Sequence, residues 1–249
     1  MNKNRVALER QKKAMAVASE RAIRRVTTAG LLLAITLLLV FTSIGMFPVP
    51  TPAGHATIAH IPAIIGGILE GPLVGLLVGM GFGFASFARA TIPMFKDPLV
   101  AIVPRLFIGV TSSLVYLAVR RAKKPVLTVL LAILLGFMLL FSWQMASTIL
   151  WLGIIWAVLS AAGAGFLFWW MHREDVQVVA LGIAAVVGSL TNTVLVLSSA
   201  VLRGYIPKEA AWGIGLTHGV PEVIASGVIT VAVVTALRQI GSRRRRARL

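Results

Sequence analysis

The stretch TTAGLLLAITLLLVFTSIGMF, residues 27–47, contains no charged side chain. A helix needs about 20 consecutive apolar residues to cross the hydrocarbon core of a bilayer, and this run supplies them. Immediately before it stands a basic block of Lys3, Arg5, Arg10, Lys12, Lys13, Arg21, Arg24 and Arg25. Cations followed by a long apolar run read as a first membrane span whose N-terminal side is held at the cytoplasmic face. Both parts are too long for a cleavable signal peptide.

Working outward, the same alternation continues. The 249 residues are 58% hydrophobic and only 13% charged, whereas a soluble domain carries about a quarter charged residues. Apolar periodicity places spans at 27–47, 57–69, 72–88, 98–119, 125–142, 147–171, 177–200 and 217–238. Eight crossings return both termini to one side. Arg120, Arg121, Lys123 and Lys124 then share that side with the N-terminus and with the tail carrying Arg243 to Arg246 and Arg248. This is the positive-inside pattern, so the termini are expected in the cytoplasm of a bacterial cell and the chain in its plasma membrane. The net charge of +16 would suggest nucleic acid in a soluble chain. Here the charge sits in blocks beside spans, where an anionic leaflet accounts for it, and no nucleic acid is expected. There is no cysteine, which excludes disulfides and thiolate chemistry.

The expected organisation is a basic segment at 1–26, membrane core spans at 27–119, a hairpin with its basic inner loop at 120–175, further core spans at 176–238, and a basic tail at 239–249. Gly71-Pro72 breaks one apolar stretch and places proline at a first helical position, where its missing N–H costs nothing. Asp97-Pro98 repeats the device, with Asp97 as the expected N-cap. The second span is short, so it is either tilted or ends where protein surrounds it. Gly75, Gly79 and Gly83 lie four apart on one face of the third span, a spacing that lets another helix approach. The hairpin 125–171 holds Trp143, Trp151, Trp156, Trp169 and Trp170 and reads as a lipid-facing element with an interfacial tryptophan belt.

Polar side chains inside spans are costly, so each is a candidate for function. His60, Arg105, Asn192 and Glu222 stand out, with Thr57, Thr193, Thr191, His55 and His218 close by in sequence. Arg105 lies seven residues into a span running inward from 98, which is roughly 10 Å below the outer face. Asn192 lies at similar depth, and His60 and Glu222 fall in outer turns. Four helices thus put polar groups in the outer half, as the walls of an outward pocket would. The loop from Pro48 to His55 could cover it, with Gly54 as its bend. Each residue also has a structural reading. Arg105 could snorkel to the interface, Glu222 could serve the helix dipole just after Pro221, and Asn192 could bond a neighbouring helix.

The absences limit the chemistry. No phosphate-loop motif, H-E-x-x-H or G-x-S-x-G is present, so neither ATP hydrolysis by this chain nor any catalytic residue is expected. His55 and His60, five apart, share no helix face, so no metal and no cofactor is expected.

Four segments, in order, resemble one family. They are His55-Ala-Thr-Ile-Ala-His60-Ile-Pro-Ala-Ile-Ile-Gly-Gly-Ile-Leu-Glu70-Gly-Pro, Phe95-Lys-Asp-Pro-Leu-Val with Val103-Pro-Arg105, Gly188-Ser-Leu-Thr-Asn192-Thr-Val-Leu-Val, and Gly219-Val-Pro-Glu222. They resemble the S components of energy-coupling-factor (ECF) vitamin transporters, nearest to the pantothenate-type members. The resemblance covers 27–119 and 176–238. It implies an all-α integral membrane bundle with a six-helix core, here enlarged to about eight spans by an inserted two-helix hairpin. It also implies a high-affinity vitamin-binding subunit that works with a transmembrane coupling subunit and two ABC-type ATPases. The implied substrate-binding residues are His55, Thr57, His60, Arg105, Asn192, Thr193 and Glu222. Gly30 and Ala34 match the small residues with which the family's first helix meets the coupling subunit. Pantothenate heads the list of solutes. Hydroxymethylpyrimidine, thiamin, folate and riboflavin also fit such a pocket, and a stand-alone proton-coupled transporter using Glu222 or His60 is a separate reading.

Overall fold

A computed structural model describes residues 3–42, 44–48, 55–146 and 150–246. Most of the covering loop (49–54, with Gly54), the expected start of the sixth span at 147–149, and Arg248 lie outside the described residues, as does the side chain of Trp156.

The first span and its basic prelude form one helix, α1 (Lys3–Phe41), of 39 residues. It stops before the expected residue 47. Thr42 Oγ1 donates back to Leu38 O at 2.6 Å, and Gly45 N closes onto Leu39 O at 3.3 Å. The chain then turns into a short strand, β1 (Met46–Pro48). It pairs antiparallel with β2 (His55–Thr57) in the register Met46 to Thr57 and Pro48 to His55.

The expected second span is therefore strand first and helix second. Helix α2 (Ile61–Glu70) has ten residues, or about 15 Å against a core of about 30 Å. Of the two explanations offered for its shortness, enclosure is the one realised, since Ile61 to Ile68 are all buried. Gly71 turns the chain with φ of 101°, a conformation only glycine adopts without strain, and Pro72 opens α3 (Pro72–Ala88). A 3-10 turn (Pro93–Lys96) leads to α4 (Pro98–Ala101), where the Asp97 side chain accepts from Leu99 N at 2.9 Å as the N-cap. A turn at Ile102 separates α4 from α5 (Val103–Val119), and the two together cover the expected fourth span, 98–119. Helices α6 (Lys124–Ala146), α7 (Leu150–Arg173), α8 (Val176–Leu202) and α9 (Lys208–Arg246) complete the order. Among the described residues, four helices are long and apolar enough to cross a membrane: Ala7–Phe41, Pro98–Val119, Val176–Leu202 and Lys208–Ile240. The protein is an all-α, multi-pass membrane bundle.

The last helix corrects one expectation. It begins at Lys208, not 217, and Pro221 lies inside it. Glu222 is thus several turns from the helix start, and the dipole reading of its carboxylate no longer applies.

The helices group into two compact units, Met1–Leu114 with Ala184–Leu249, and Val115–Ile183. In the first, α1 packs on α2 and α3, and α2 packs on α3 and α9. The glycine row of α3 acts as its spacing predicts. A Cβ at Gly75 would strike the Gly109 backbone, one at Gly79 the Arg105 carbonyl, and one at Gly83 Ile102 Cα. Backbones of α3 and α5 touch because neither helix interposes a side chain there. In the second unit, α6 packs on α7, and Leu127, Met171 and Val179 form a small core with Trp170 against it. The outer faces are apolar and bare, with Trp143 80% and Trp151 75% exposed. Faces of that kind belong against lipid.

Candidate functional site

A cavity of about 170 Å³ lies at the end of α3 beneath the β hairpin. Met46, His55 and Thr57 of the strands line it, with Phe82, Ser86 and Arg89 of α3, Ala90, Thr91, Ile92 and Phe95 of the following segment, and Arg105 of α5. Two aromatic rings, three hydroxyls and two guanidinium groups make a wall suited to a small polar solute with an anionic end.

Arg105 owes its position to local sequence. Pro104 has no N–H, so the Val100 carbonyl one turn back lacks its helical donor. Arg105 Nη1 donates to that carbonyl. The close packing of α3 on α5 keeps the side chain inside, and Arg105 is 4% exposed, which rules out snorkelling. Its guanidinium lies 5.5 Å from the Phe82 ring centre and 5.0 Å from that of Phe95. Cation–π contacts of this kind contribute about 1 kcal/mol or more when desolvated. Its Nε is buried and has no hydrogen-bond partner.

Glu222 joins three elements. Its Oε1 accepts from Thr57 N at 2.6 Å, tying β2 to α9, and its Oε2 accepts a longer bond from Thr193 Oγ1 of α8 at 3.5 Å. Thr57 in turn donates through Oγ1 to Gly45 O at 3.1 Å, so the carboxylate holds both strands of the hairpin. Glu222 and Arg105 attract one another electrostatically.

His60 is fully buried just before α2. Its Nε2 lies 3.2 Å from Ser189 Oγ and 2.8 Å from Ser226 Oγ, and its Nδ1 is buried without a hydrogen-bond partner. Asn192 is 5% exposed and its Oδ1 has no partner. Its neighbours in sequence both reach across, Thr191 Oγ1 to Thr111 Oγ1 of α5 at 3.1 Å and Thr193 to Glu222.

Of the residues singled out in the sequence, His55, Thr57 and Arg105 line the cavity, and Glu222 reaches it through Thr57 with Thr193 beside it. His60 belongs to a neighbouring hydroxyl cluster, and Asn192 is buried but is not part of the cavity wall. Sequence reasoning passed over Phe82 and Ser86 on the wall and Ser226 beside His60, and gave no site role to Phe95 and Ser189, which it met only within the family-like segments. The two serines carried a weak sign, a hydroxyl on the same face as a neighbouring polar residue; the phenylalanines carried none. Arg89 lines the wall while donating to Val40 O and, at 3.3 Å, to Met46 Sδ. Gly30 and Ala34 are exposed on α1, and a Cβ at Gly30 would meet nothing within 4 Å.

Outside the spans, Asp97 accepts from Arg203 Nε at 2.7 Å and Tyr205 Oη at 3.4 Å. The Arg203 hydrogen bond, helped by the Leu99 amide, holds the Asp97 carboxyl below its usual range and raises Arg203 in return. The pair joins the segment before α4 to the one after α8. Met94 between them packs with Val100, Val196 and Ile206, and this fixes Phe95 over Arg105.

No curated protein sequence matches the chain. The sequence profile described as "ECF transporter, substrate-specific component" matches residues 24–171. It runs through the hairpin and ends before α8. From 24 to 171 is 148 of the 249 residues, more than half, and the chain therefore belongs to the family of substrate-specific components of ECF transporters.

Proposed function

We propose that this substrate-specific component captures pantothenate from outside a bacterial cell and holds it in the cavity around Arg105. Membership already makes the chain a substrate-binding part of a transporter rather than an enzyme, working with the transmembrane and ATPase subunits of an ECF module. The observation that carries the finer reading is the unpaired, buried Nε of Arg105 beside a cavity walled by Thr57, Ser86 and Thr91. A guanidinium edge kept dry between two rings favours a carboxylate, and the hydroxyls suit a ligand with hydroxyl and amide groups. Pantothenate has all three. Asn192, His60, His55, Thr193 and Glu222 complete the proposed binding set, with Asn192 Oδ1 supplying a second unpaired buried atom. Gly30 and Ala34, open on α1, are the proposed contact with the coupling subunit. The hairpin is read as an insertion in the family core, and both termini are placed in the cytoplasm on the strength of the basic blocks.

Calorimetry on the purified chain, titrated with pantothenate and then with thiamin, hydroxymethylpyrimidine, folate and riboflavin, tests this. Pantothenate should bind tightest, and Arg105→Ala should weaken it by roughly 100-fold, as loss of a buried charge-assisted pair does. Tight binding of another member of the panel would move the assignment to that vitamin. A folded protein that binds none of them removes vitamin capture and brings forward proton-coupled transport.

A further inference from the structure

The unit Val115–Ile183 gathers charge at one end. Lys124, at the start of α6, donates from Nζ to His172 O and Glu174 O, both at 3.2 Å, and so caps the last turn of α7. This bond sets the turn carrying Arg120, Arg121 and Lys123 beside Arg173. Two of these arginines lie over aromatic rings, Arg120 Cζ at 5.5 Å from the Tyr116 centroid and Arg173 Cζ at 4.9 Å from that of Trp169. A ring on one side of a guanidinium shields it from water there while its N–H groups remain able to grip an oxyanion. The segment 120–175 holds five cations against Glu174 and Asp175, a balance of 5 − 2 = +3. Asp175 is already engaged, accepting from Gln177 N at 2.9 Å as the cap of α8. The same end carries bare apolar surface, with Val126 51%, Leu130 55% and Trp169 49% exposed.

We propose that this end of the α6–α7 hairpin binds the phosphate headgroup of an anionic phospholipid, held by the ring-backed Arg120 and Arg173 with Arg121 and Lys123. A lipid fits better than a free oxyanion because the cationic cluster runs directly into exposed apolar faces. The phosphate meets the first while the acyl chains lie along the second. The proposal does not depend on which vitamin the cavity takes.

Native mass spectrometry of the purified full chain, loaded in detergent with phosphatidylglycerol or phosphatidylcholine, gives the test. The wild-type chain should retain phosphatidylglycerol roughly tenfold more than phosphatidylcholine, and each cation lost from this site should lower retention roughly threefold to fivefold. The variant Arg120→Gln/Arg121→Gln/Lys123→Gln/Arg173→Gln should lose the preference. A control with equal charge loss in α1, Arg10→Gln/Lys12→Gln/Lys13→Gln/Arg21→Gln, should keep it. The pair Arg120→Gln/Arg173→Gln, which leaves the Lys124 cap intact, is measured alongside in case the fourfold variant does not fold. The idea is overturned if these variants hold phosphatidylglycerol as the wild type does, or if the control loses it equally. Displacement by inorganic phosphate at matched concentration would also overturn it, since the site would then take the free ion.

Discussion

Helices α5 and α7 are both apolar and both contain glycine, yet their glycines do opposite things. In α5, Gly109 faces the Gly75 backbone and the Ala63 carbonyl at distances a Cβ could not share, and a Cβ at Gly188 of α8 would strike Ser112 one turn further along α5. In α7, Gly163 and Gly165 meet nothing within 4 Å. The first arrangement holds polar groups still inside a membrane; the second offers a smooth face to lipid. The difference lies in what stands across from each glycine, and composition alone carries no trace of it. Where backbones touch, a buried charge such as Arg105 can be kept dry and aimed. Where they do not, the sequence is free to drift so long as it stays apolar.

That contrast can be broken by substitution. Gly109→Val should have the largest effect. Its side chain would have to displace backbone on two helices, and overpacking of that severity costs about 3 kcal/mol or more. Thermal unfolding in detergent should show a much lower midpoint or no folded protein, and a midpoint near wild type would mean that the α3–α5 contact is looser than described. Asp97→Asn should act less and in a pH-dependent way. A carboxyl held below its usual range contributes stability that is fully present above its unfolded value and lost as pH falls through the lowered folded one. The wild-type midpoint should therefore hold from neutral pH down to the ordinary carboxylate range and fall as pH drops from there through the lowered value, while Asp97→Asn starts lower and lacks that part of the drop. Parallel curves for the two proteins would remove the Arg203 pair from the account. Gly163→Ala should do least. Facing open space, it should leave the midpoint unchanged or raise it slightly, by about 1 kcal/mol at most from helix propensity. A clear loss of stability would reveal close packing on the hairpin face.

What could be read from sequence follows the same division. The glycine spacing on α3, the Asp97 cap and the Gly71-Pro72 elbow are local rules and hold in the fold. Continuity was harder. Hydropathy marks where an apolar run lies but not whether one hydrogen-bond ladder persists through it, so the run to 47 outlasts α1, which ends at Phe41, and α9 starts nine residues before the expected 217. Pro221 sits within a helix while Pro104 follows a break, although both are preceded by valine. Tertiary contacts decide between those outcomes. At the site, ionisable side chains were visible as costly residues in apolar runs. Phe82 and Phe95 were not, because a ring beneath a guanidinium is indistinguishable in sequence from any other core ring.

One feature of α1 has mechanical meaning. A helix of 39 residues is a rod of about 58 Å, nearly twice the apolar thickness of a bilayer. Arg24 grips Glu70 part-way along it, Nε to Oε1 at 3.0 Å and Nη2 to Oε2 at 3.2 Å, fastening the rod to the end of α2. Gly30 and Ala34 lie on one side of that fastening and the basic residues 3–21 on the other. The pin and the packing of α1 on α2 and α3 brace the rod near its middle, so the basic arm stands roughly 30 Å past the fastening, long enough to carry its cations clear of the hydrocarbon core.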